Sequence, residues 1–447
     1  MKRGLLLIVI CCTVGVSAVG QNTPFWNCPA PGNSKNLICL LPVATRATTT
    51  NPLAPTINSA IATQLSQLPV LSSGPAIAVT YDPATGVPII SDNLGPILTD
   101  RAETIGKHKL LVAFAYQRFR FHDIDGNNLN SLSFVFPQSI SQNLLQQTDE
   151  TVNVGLKLDQ YVGVATFGLT KKIDVSVIVP IDRVSISSNS AATIYYVTST
   201  NTIPPPPFNN PTAVNLGYFH GTSSGIGDIL FSVKRVMYSG ENDTIAAGLI
   251  FRAPTGDSLN YLGSGAYGFN PYVVWSHPVK KLSPHVRLGY QFNTSTSLIP
   301  SNPVNGTGSS TLPGSFQYDL GADVILLSGK RPLTFAGDVI GNYVVNSPVL
   351  VSKYTCLCAA GDQYLASPFP YPSTVQALNP TKAVNQADPN SSNYIKDSYN
   401  SAQVALGLKF KPWNNVILYG NVTFQLNNVG LKSSPVPLAG VSYTFKP

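Results

Sequence analysis

Val152-Asn-Val-Gly-Leu-Lys-Leu158 and, after the turn residues Thr170-Lys171-Lys172, Ile173-Asp-Val-Ser-Val-Ile-Val179 are the runs on which the fold is decided. In the first, apolar residues alternate with Asn153, Gly155 and Lys157; in the second, the apolar set is Ile173, Val175, Val177 and Val179. Strict period two is the mark of a β-strand, whose side chains point alternately to opposite faces. Similar dyads recur at 245–253, 286–292, 316–326, 404–410 and 416–426. Twelve candidate strands begin near residues 108, 151, 173, 226, 244, 269, 284, 315, 333, 399, 416 and 437.

Alternation alone also fits a soluble sandwich with its apolar face inward. The connections separate the two. Five are short: Thr170–Lys172, Ser239–Asp243, His277–Ser283, Ser328–Arg331 and Pro412–Asn415. Six longer ones lie between them, near 122–150, 187–224, 256–268, 293–314, 347–398 and 427–436. Short and long alternate along the whole chain, as in an outer-membrane barrel with periplasmic turns, extracellular loops and an even strand number. The polar side of the dyads is rich in Gly, Asn, Ser and Thr, which suits a lumen. A closed barrel also leaves no unpaired edge in hydrocarbon. The expected fold is therefore all-β: a transmembrane antiparallel up-and-down β-barrel of about 12 strands with an irregular N-terminal extension.

The N-terminus predicts export. Lys2 and Arg3 precede the apolar run Leu5 to Val16, and Ser17-Ala18-Val19-Gly20 supplies the small residues of a cleavage site after Ala18 or Gly20. This order is that of a secretory signal peptide over 1–20, too short to remain as a spanning helix. An acylated Cys11 or Cys12 is the weaker reading, because Ile10 stands where a small residue is wanted. Charged residues make up 11% of the chain, against roughly 25% in an ordinary soluble domain. Beyond the signal no run of about 18 apolar residues supplies a membrane helix. The net charge of +7 is dispersed without a basic block, which argues against a nucleic-acid partner. The expected location is the outer membrane of a Gram-negative bacterium, with outer-membrane lipid around the barrel. Cys28, Cys39, Cys356 and Cys358 remain after cleavage. In an oxidising compartment they predict disulfides, Cys28–Cys39 and a tight Cys356–Cys358 bridge. No His lies near the second pair in sequence, so no metal site is expected.

Residues 21–104 are rich in Pro, Ser, Thr and Asn, without sustained alternation. Ile57, Ile61, Leu65 and Leu68 predict one short helix over 56–68. The rest reads as an irregular extension, periplasmic or folded into the lumen, ahead of a barrel over 105–447. At the other end, Val441, Tyr443 and Phe445 share one face of a terminal strand, like the segment the barrel-assembly machinery recognises during biogenesis. Phe167, Tyr238, Trp275, Tyr290, Trp413 and Tyr419 fall near strand ends, where interface girdles lie.

Taking the polar side of each dyad as inward gives a candidate lumen: Lys157, Asp159, Asp174, Asp228, Ser232, Lys234, Arg252, Arg287, Asp319, Asp323, Asp338, Lys409, Asn421 and Gln425. The mixture of charges favours pairing across a narrow lumen over ion selectivity. Arg118 and Arg120 share a face with Phe114 and Tyr116, which leaves the first strand ambiguous. Asp228 and Arg252 have inward parity on neighbouring strands and, with Asp257, are expected to shape a constriction near the extracellular side.

Gly225-Ile-Gly-Asp-Ile-Leu-Phe-Ser-Val-Lys234, Ala247-Gly-Leu-Ile-Phe-Arg-Ala-Pro-Thr-Gly-Asp257, Leu262-Gly-Ser-Gly-Ala-Tyr-Gly-Phe-Asn-Pro271 and Pro284-His-Val-Arg-Leu-Gly-Tyr290 resemble an outer-membrane family named for the MetA pathway of phenol degradation. The resemblance is clearest over about 225–292, weaker to 445, and does not cover 21–104. It implies a transporter-like barrel for passive uptake of small hydrophobic or aromatic solutes. The alternative is a non-transporting surface barrel whose long loops bind a partner. Enzymatic chemistry, which would need a nucleophilic Ser beside a His oriented by a third polar group, is not expected: His220-Gly-Thr-Ser223 is the one local His/Ser cluster and falls in an expected loop rather than on a wall. No cofactor pattern stands out.

Overall fold

The computed structural model describes residues 36–41, 53–68, 79–81, 88–90, 93–141, 144–198, 212–299, 301, 308–350 and 394–445. The expected signal, Cys28, Cys356 and Cys358 lie outside them. Twelve strands form the barrel: β1 Leu110–Ile124, β2 Leu144–Gly168, β3 Ile173–Thr198, β4 Ile229–Ser239, β5 Thr244–Ala253, β6 Gly268–Ser276, β7 Leu282–Asn293, β8 Ser315–Leu327, β9 Leu333–Leu350, β10 Tyr394–Trp413, β11 Val416–Gln425 and β12 Val436–Phe445. Each pairs antiparallel with its sequence neighbour, and β12 returns to β1 with Phe445 opposite Leu110 and Tyr443 opposite Val112. The ring is closed, so its ladder hydrogen bonds are satisfied without water.

The short connections gather at one end, beside both barrel termini. Gly240 N donates to Asp243 O at 2.7 Å in one of these turns, and Gly329 supplies a φ of +101° in another, a backbone region that favours glycine. In the turn between β4 and β5, Asp243 Oδ1 accepts from Trp275 Nε1 (2.9 Å) and lies 2.8 Å from His277 Nδ1. Those bonds, His277's first and Trp275's second, hold the Asp243 carboxyl below the usual carboxylate range.

Burial inverts soluble logic. Phe114 (49% exposed), Val233, Leu249, Val273, Leu288, Leu320, Leu408 and Val441 point outward, while Asp174, Lys234, Arg287, Asp319, Asp338 and Lys409 are buried inside. No described helix is long and apolar enough to cross a membrane; the strands cross. The chain is an outer-membrane β-barrel, with its short turns periplasmic and its long loops extracellular.

Two expected loops are largely strand. β2 and β3 run 25 and 26 residues, more than twice the roughly 9–11 that a tilted span requires. Above the membrane β2 pairs with Leu132–Ser141, and β3 pairs with Thr212–Ile226, which carries His220 and Ser223 and continues through Gly227-Asp228 into β4. Ser187-Ser-Asn-Ser-Ala-Ala-Thr193 has no apolar alternation; ladder hydrogen bonds to neighbours on both sides hold it extended. The helix of the extension, α1, spans Leu53–Leu65, three residues earlier than its periodicity predicts, and ends in a turn at 66–68.

Candidate functional site

The candidate site is the lumen, where inward side chains of the wall meet segments of the N-terminal extension at two levels. Nearer the periplasm, residues 93–105 cross the interior. Lys409 Nζ donates to Leu94 O at 3.1 Å and also to Pro96 O. Lys234 Nζ donates to Arg101 O (2.7 Å) and Glu103 O (2.9 Å). Ala102 N donates to Ser276 Oγ (2.9 Å), Ile105 N to Asp174 Oδ2 (3.0 Å), and Leu94 N to Thr334 Oγ1 (3.1 Å). Thr99 Oγ1 lies 2.9 Å from His285 Nε2 and donates to Asp338 Oδ1 at 3.1 Å. His285 is itself 2.9 Å from Asp338 and 3.6 Å from Asp323. Six wall strands (β3, β4, β6, β7, β9 and β10) thus lace one thread of backbone across the barrel.

Nearer the outside, α1 and residues 37–41 fill the lumen by different means. Leu37, Ile38, Leu41, Ala60 and Ile61 pack with Val154, Leu156 and Leu158 of β2, Val184 and Ile186 of β3, Phe119 and Phe121 of β1, and the loop residues Tyr261, Leu262 and Leu298. Tyr261 donates its hydroxyl to Asn58 Oδ1, and burial pushes its phenol well above the usual tyrosine range. Gln64 Nε2 donates to Asp125 (3.1 Å), and Gln67 Nε2 to Pro313 O (3.3 Å). Cys39 is buried and disulfide-bonded.

Between the two levels lies a cavity of about 260 Å³. Its wall is mixed: on β2 to β5 Leu158, Ile178, Leu230 and Ile250 stand among Gln160, Asp182 and Arg252, while β6 to β10 present mainly polar groups, Asn270, Arg287, Gln317, Asp319, Asn342 and Gln403, beside Ile340. Arg287 Nη1 donates to Asp319 Oδ2 (3.0 Å), its Nε is 4.0 Å from Asp100, and its guanidinium sits 4.6 Å over the ring of Tyr272. Arg252 donates to Asn293 Oδ1 (2.7 Å) and Ser66 O (3.3 Å), with Asp228 3.8 Å from its Nε. Among the described residues neither Arg252 Nε nor Arg287 Nε has a hydrogen-bond partner; Asp228 and Asp100 stand 3.8 and 4.0 Å from them.

Most of the expected lumen residues point inward. Asp174, Ser232, Lys234, Arg252, Arg287, Asp319, Asp323, Asp338, Lys409 and Asn421 are buried. Asp228 turns inward at the Gly227-Asp228 bend, accepting from Gly256 N (3.1 Å) and Ser264 N (2.8 Å). Gln425 is half-buried and caps Val429 O. Three expectations are corrected. Lys157 and Asp159 face outward, because the opposite face of β2 at that height meets the apolar extension; Asp159 instead receives Arg118 Nε and Tyr116 OH, each at 2.6 Å. Asp257 is exposed and caps a short 3-10 turn, accepting from Leu259 N and Asn260 Nδ2, so it shapes no constriction. Tyr419 is not a girdle residue: it is buried inside, its ring over Gly440 on the neighbouring strand. Sequence reasoning missed His285, Ser276 and Thr334 among the wall partners. His285 was within reach, since it stands two residues before Arg287 and shares its parity.

Residues 136–325 match the family described as "Putative MetA-pathway of phenol degradation", which bears out the resemblance carried by 225–292. No curated protein matches the chain. Similar solved structures include the COG4313 outer membrane channel from Pseudomonas putida F1, at 11% identity and TM-score 0.40, covering 77% of this chain and 98% of that one. The NanC porin, at 11% identity and TM-score 0.33, covers 75% and 98%. The Ralstonia pickettii toluene transporter TbuX, at 10% identity and TM-score 0.31, covers 76% and 90%.

Proposed function

We propose that this barrel passively admits small, mainly apolar or aromatic solutes across the outer membrane, by way of the central cavity and past a movable periplasmic thread. The observation that carries this reading is the cavity itself, in which the apolar side chains of Leu158, Ile178, Leu230, Ile250 and Ile340 share the wall with a few polar and charged groups. Ligand sites of this kind bury a hydrophobic body and fix it with a few placed polar groups, and about 260 Å³ falls just below the usual 300–1,000 Å³. The polar side chains on the wall, Asn270, Gln317, Asn342 and Gln403 among them, suit a solute with one polar end, such as a hydroxyl. The family match, whose name refers to phenol degradation, agrees with that solute class. The proposal assigns the chain no catalysis: His220 stacks on Tyr218, 5.5 Å between ring centroids, on a strand outside the barrel wall. We expect the assembly machinery to read the outward Val441, Tyr443 and Phe445 of β12.

The test is flux of a small phenolic solute into proteoliposomes, with the whole mature chain and with a chain lacking 21–104. Slow uptake by the first and faster uptake by the second are expected. A sealed barrel in both preparations sinks the reading. It would favour a surface barrel that binds a partner through the sheet raised by β2, β3, Leu132–Ser141 and Thr212–Ile226, for which closure of the lumen at two levels also speaks.

A further inference from the structure

The outer surface is not uniform around the barrel at its extracellular boundary. On β6, β7, β8 and β9 the outward positions there hold rings: Phe269, Phe292, Phe316 and Tyr343. On β1 to β3 the rings are overtopped by charge. The strand register sets Tyr116, Tyr161, Ile181 and Ile226 side by side in one outward row. Two residues higher stand Arg118, Asp159, Arg183 and Ser224, and two higher again Arg120, Lys157, Ser185 and Thr222. With strands about 4.8 Å apart and alternate residues roughly 6.6 Å apart, Arg120, Lys157 and Arg183 fall within roughly 12 Å of one another.

Four cations and one carboxylate leave this patch at a formal +3 (4 − 1). Asp159 is committed to Arg118, at 2.6 and 3.2 Å. Among the described residues no ion pair engages Arg120, Lys157 or Arg183, and all three are exposed. The hydroxyls of Ser185 and Thr222, 2.9 Å apart, add donors on the same rows. Directly below, Tyr116 and Tyr161 pack at 4.9 Å and Phe114 and Tyr161 at 6.2 Å between centroids, an apolar platform at the height of lipid chains. Cations facing lipid are tolerated only near the interface, and there they attract anionic headgroups. Arginine in particular grips phosphate through two parallel N–H bonds.

We propose that the outer face of β1–β3 binds the phosphorylated headgroup of an anionic glycolipid of the outer leaflet, with Arg120, Lys157 and Arg183 on the phosphates and the Phe114, Tyr116 and Tyr161 rings against the acyl chains. This site is independent of the lumen and of any transport reading.

The test is native mass spectrometry of the full mature chain in detergent, titrated with lipid A, a bisphosphorylated glycolipid. The Arg120→Gln/Lys157→Gln/Arg183→Gln variant should bind it about tenfold or more weakly, while dephosphorylated lipid A should bind the native chain no better than it binds the variant. Arg235→Gln, which removes an outward cation near the periplasmic turns, should leave binding unchanged. All the substituted residues face outward, so unaltered gel mobility of the folded barrel before and after heating verifies that the variants fold. Equal binding by native chain and triple variant overturns the proposal. So does an equal loss on Arg235→Gln, or displacement of lipid A by the same concentration of inorganic phosphate.

Discussion

The two levels of the lumen are closed by one stretch of chain with different proportions of apolar packing and directional bonding. The outer level is an apolar core shared by α1, residues 37–41 and the inner faces of β1 to β3. The periplasmic level has its own smaller apolar clusters, Leu94, Ile97 and Leu98 against Val162, Val164 and Ile417 and Ile105 against Leu111, and adds to them a lattice of directional bonds between backbone and Lys234, Lys409, Asp174, Ser276 and Thr334. Burial of apolar surface is non-directional and accumulates with area, so it holds a part in place against small displacements. Charge-assisted bonds are each stronger, but water can replace them once their geometry is lost. If the barrel transports as proposed, the larger apolar core makes the outer level the anchor and the more bonded periplasmic level the gate.

Lys409 gives that assignment its hardest test. It is 0% exposed, grips two carbonyls of the thread, and feels the charges of Asp323, Asp338 and Arg101. Lys409→Met should cost about 1–3 kcal/mol for each of the two buried carbonyls, Leu94 O and Pro96 O, that it leaves without a donor. Its functional mark should be release of the thread: higher conductance in planar bilayers and faster solute uptake. A destabilised barrel that stays closed would place the gate elsewhere.

Ile61→Ala tests the other level. Ile61 is fully buried in the outer core, and its truncation should cost about 2–5 kcal/mol in transfer and cavity terms. Hydrogen exchange should rise over α1 while conductance stays at the native level, since the thread remains laced below. If conductance rose as much as in Lys409→Met, the two levels would be one cooperative plug and the contrast between them would fall.

The same contrast explains what could be read from the chain beforehand. The strand starts at 173, 244, 315, 333 and 416 agree with β3, β5, β8, β9 and β11 to the residue, because lipid outside and polar groups inside impose alternation on both faces at once. Lys157 and Asp159 were misassigned where that rule fails. At the outer level the lumen holds an apolar filling, so Val154, Leu156 and Leu158 turn inward and the charges turn out. Residues 93–105 carry no period, because they cross the lumen as irregular chain: main-chain groups meet the polar wall, and Leu94, Ile97, Leu98 and Ile105 find apolar neighbours at uneven spacing. Tyr419 looks like any rim aromatic in sequence; only the register, which sets it opposite Gly440, shows where its ring finds room.

The smallest expected effect comes from an ionic contact outside both levels. Asp243, in its periplasmic turn, is half-exposed, and hydrogen bonds from His277 and Trp275 hold its carboxyl below the ordinary range. A depressed carboxyl contributes stability above its unfolded value of about 3.9 and loses it as pH falls through the folded value. In a chain carrying Trp26→Phe and Trp413→Phe, Trp275 is the one remaining tryptophan. Its fluorescence should shift as pH drops from about 4 downward, and Asp243→Asn should abolish that step. Neither change should alter conductance, because an exposed pair exchanges protein partners for water at little cost. Lys409 differs in having no water to exchange with, and a conductance change on Asp243→Asn would mean that burial is not what separates the gate from the rest of the ionic wall.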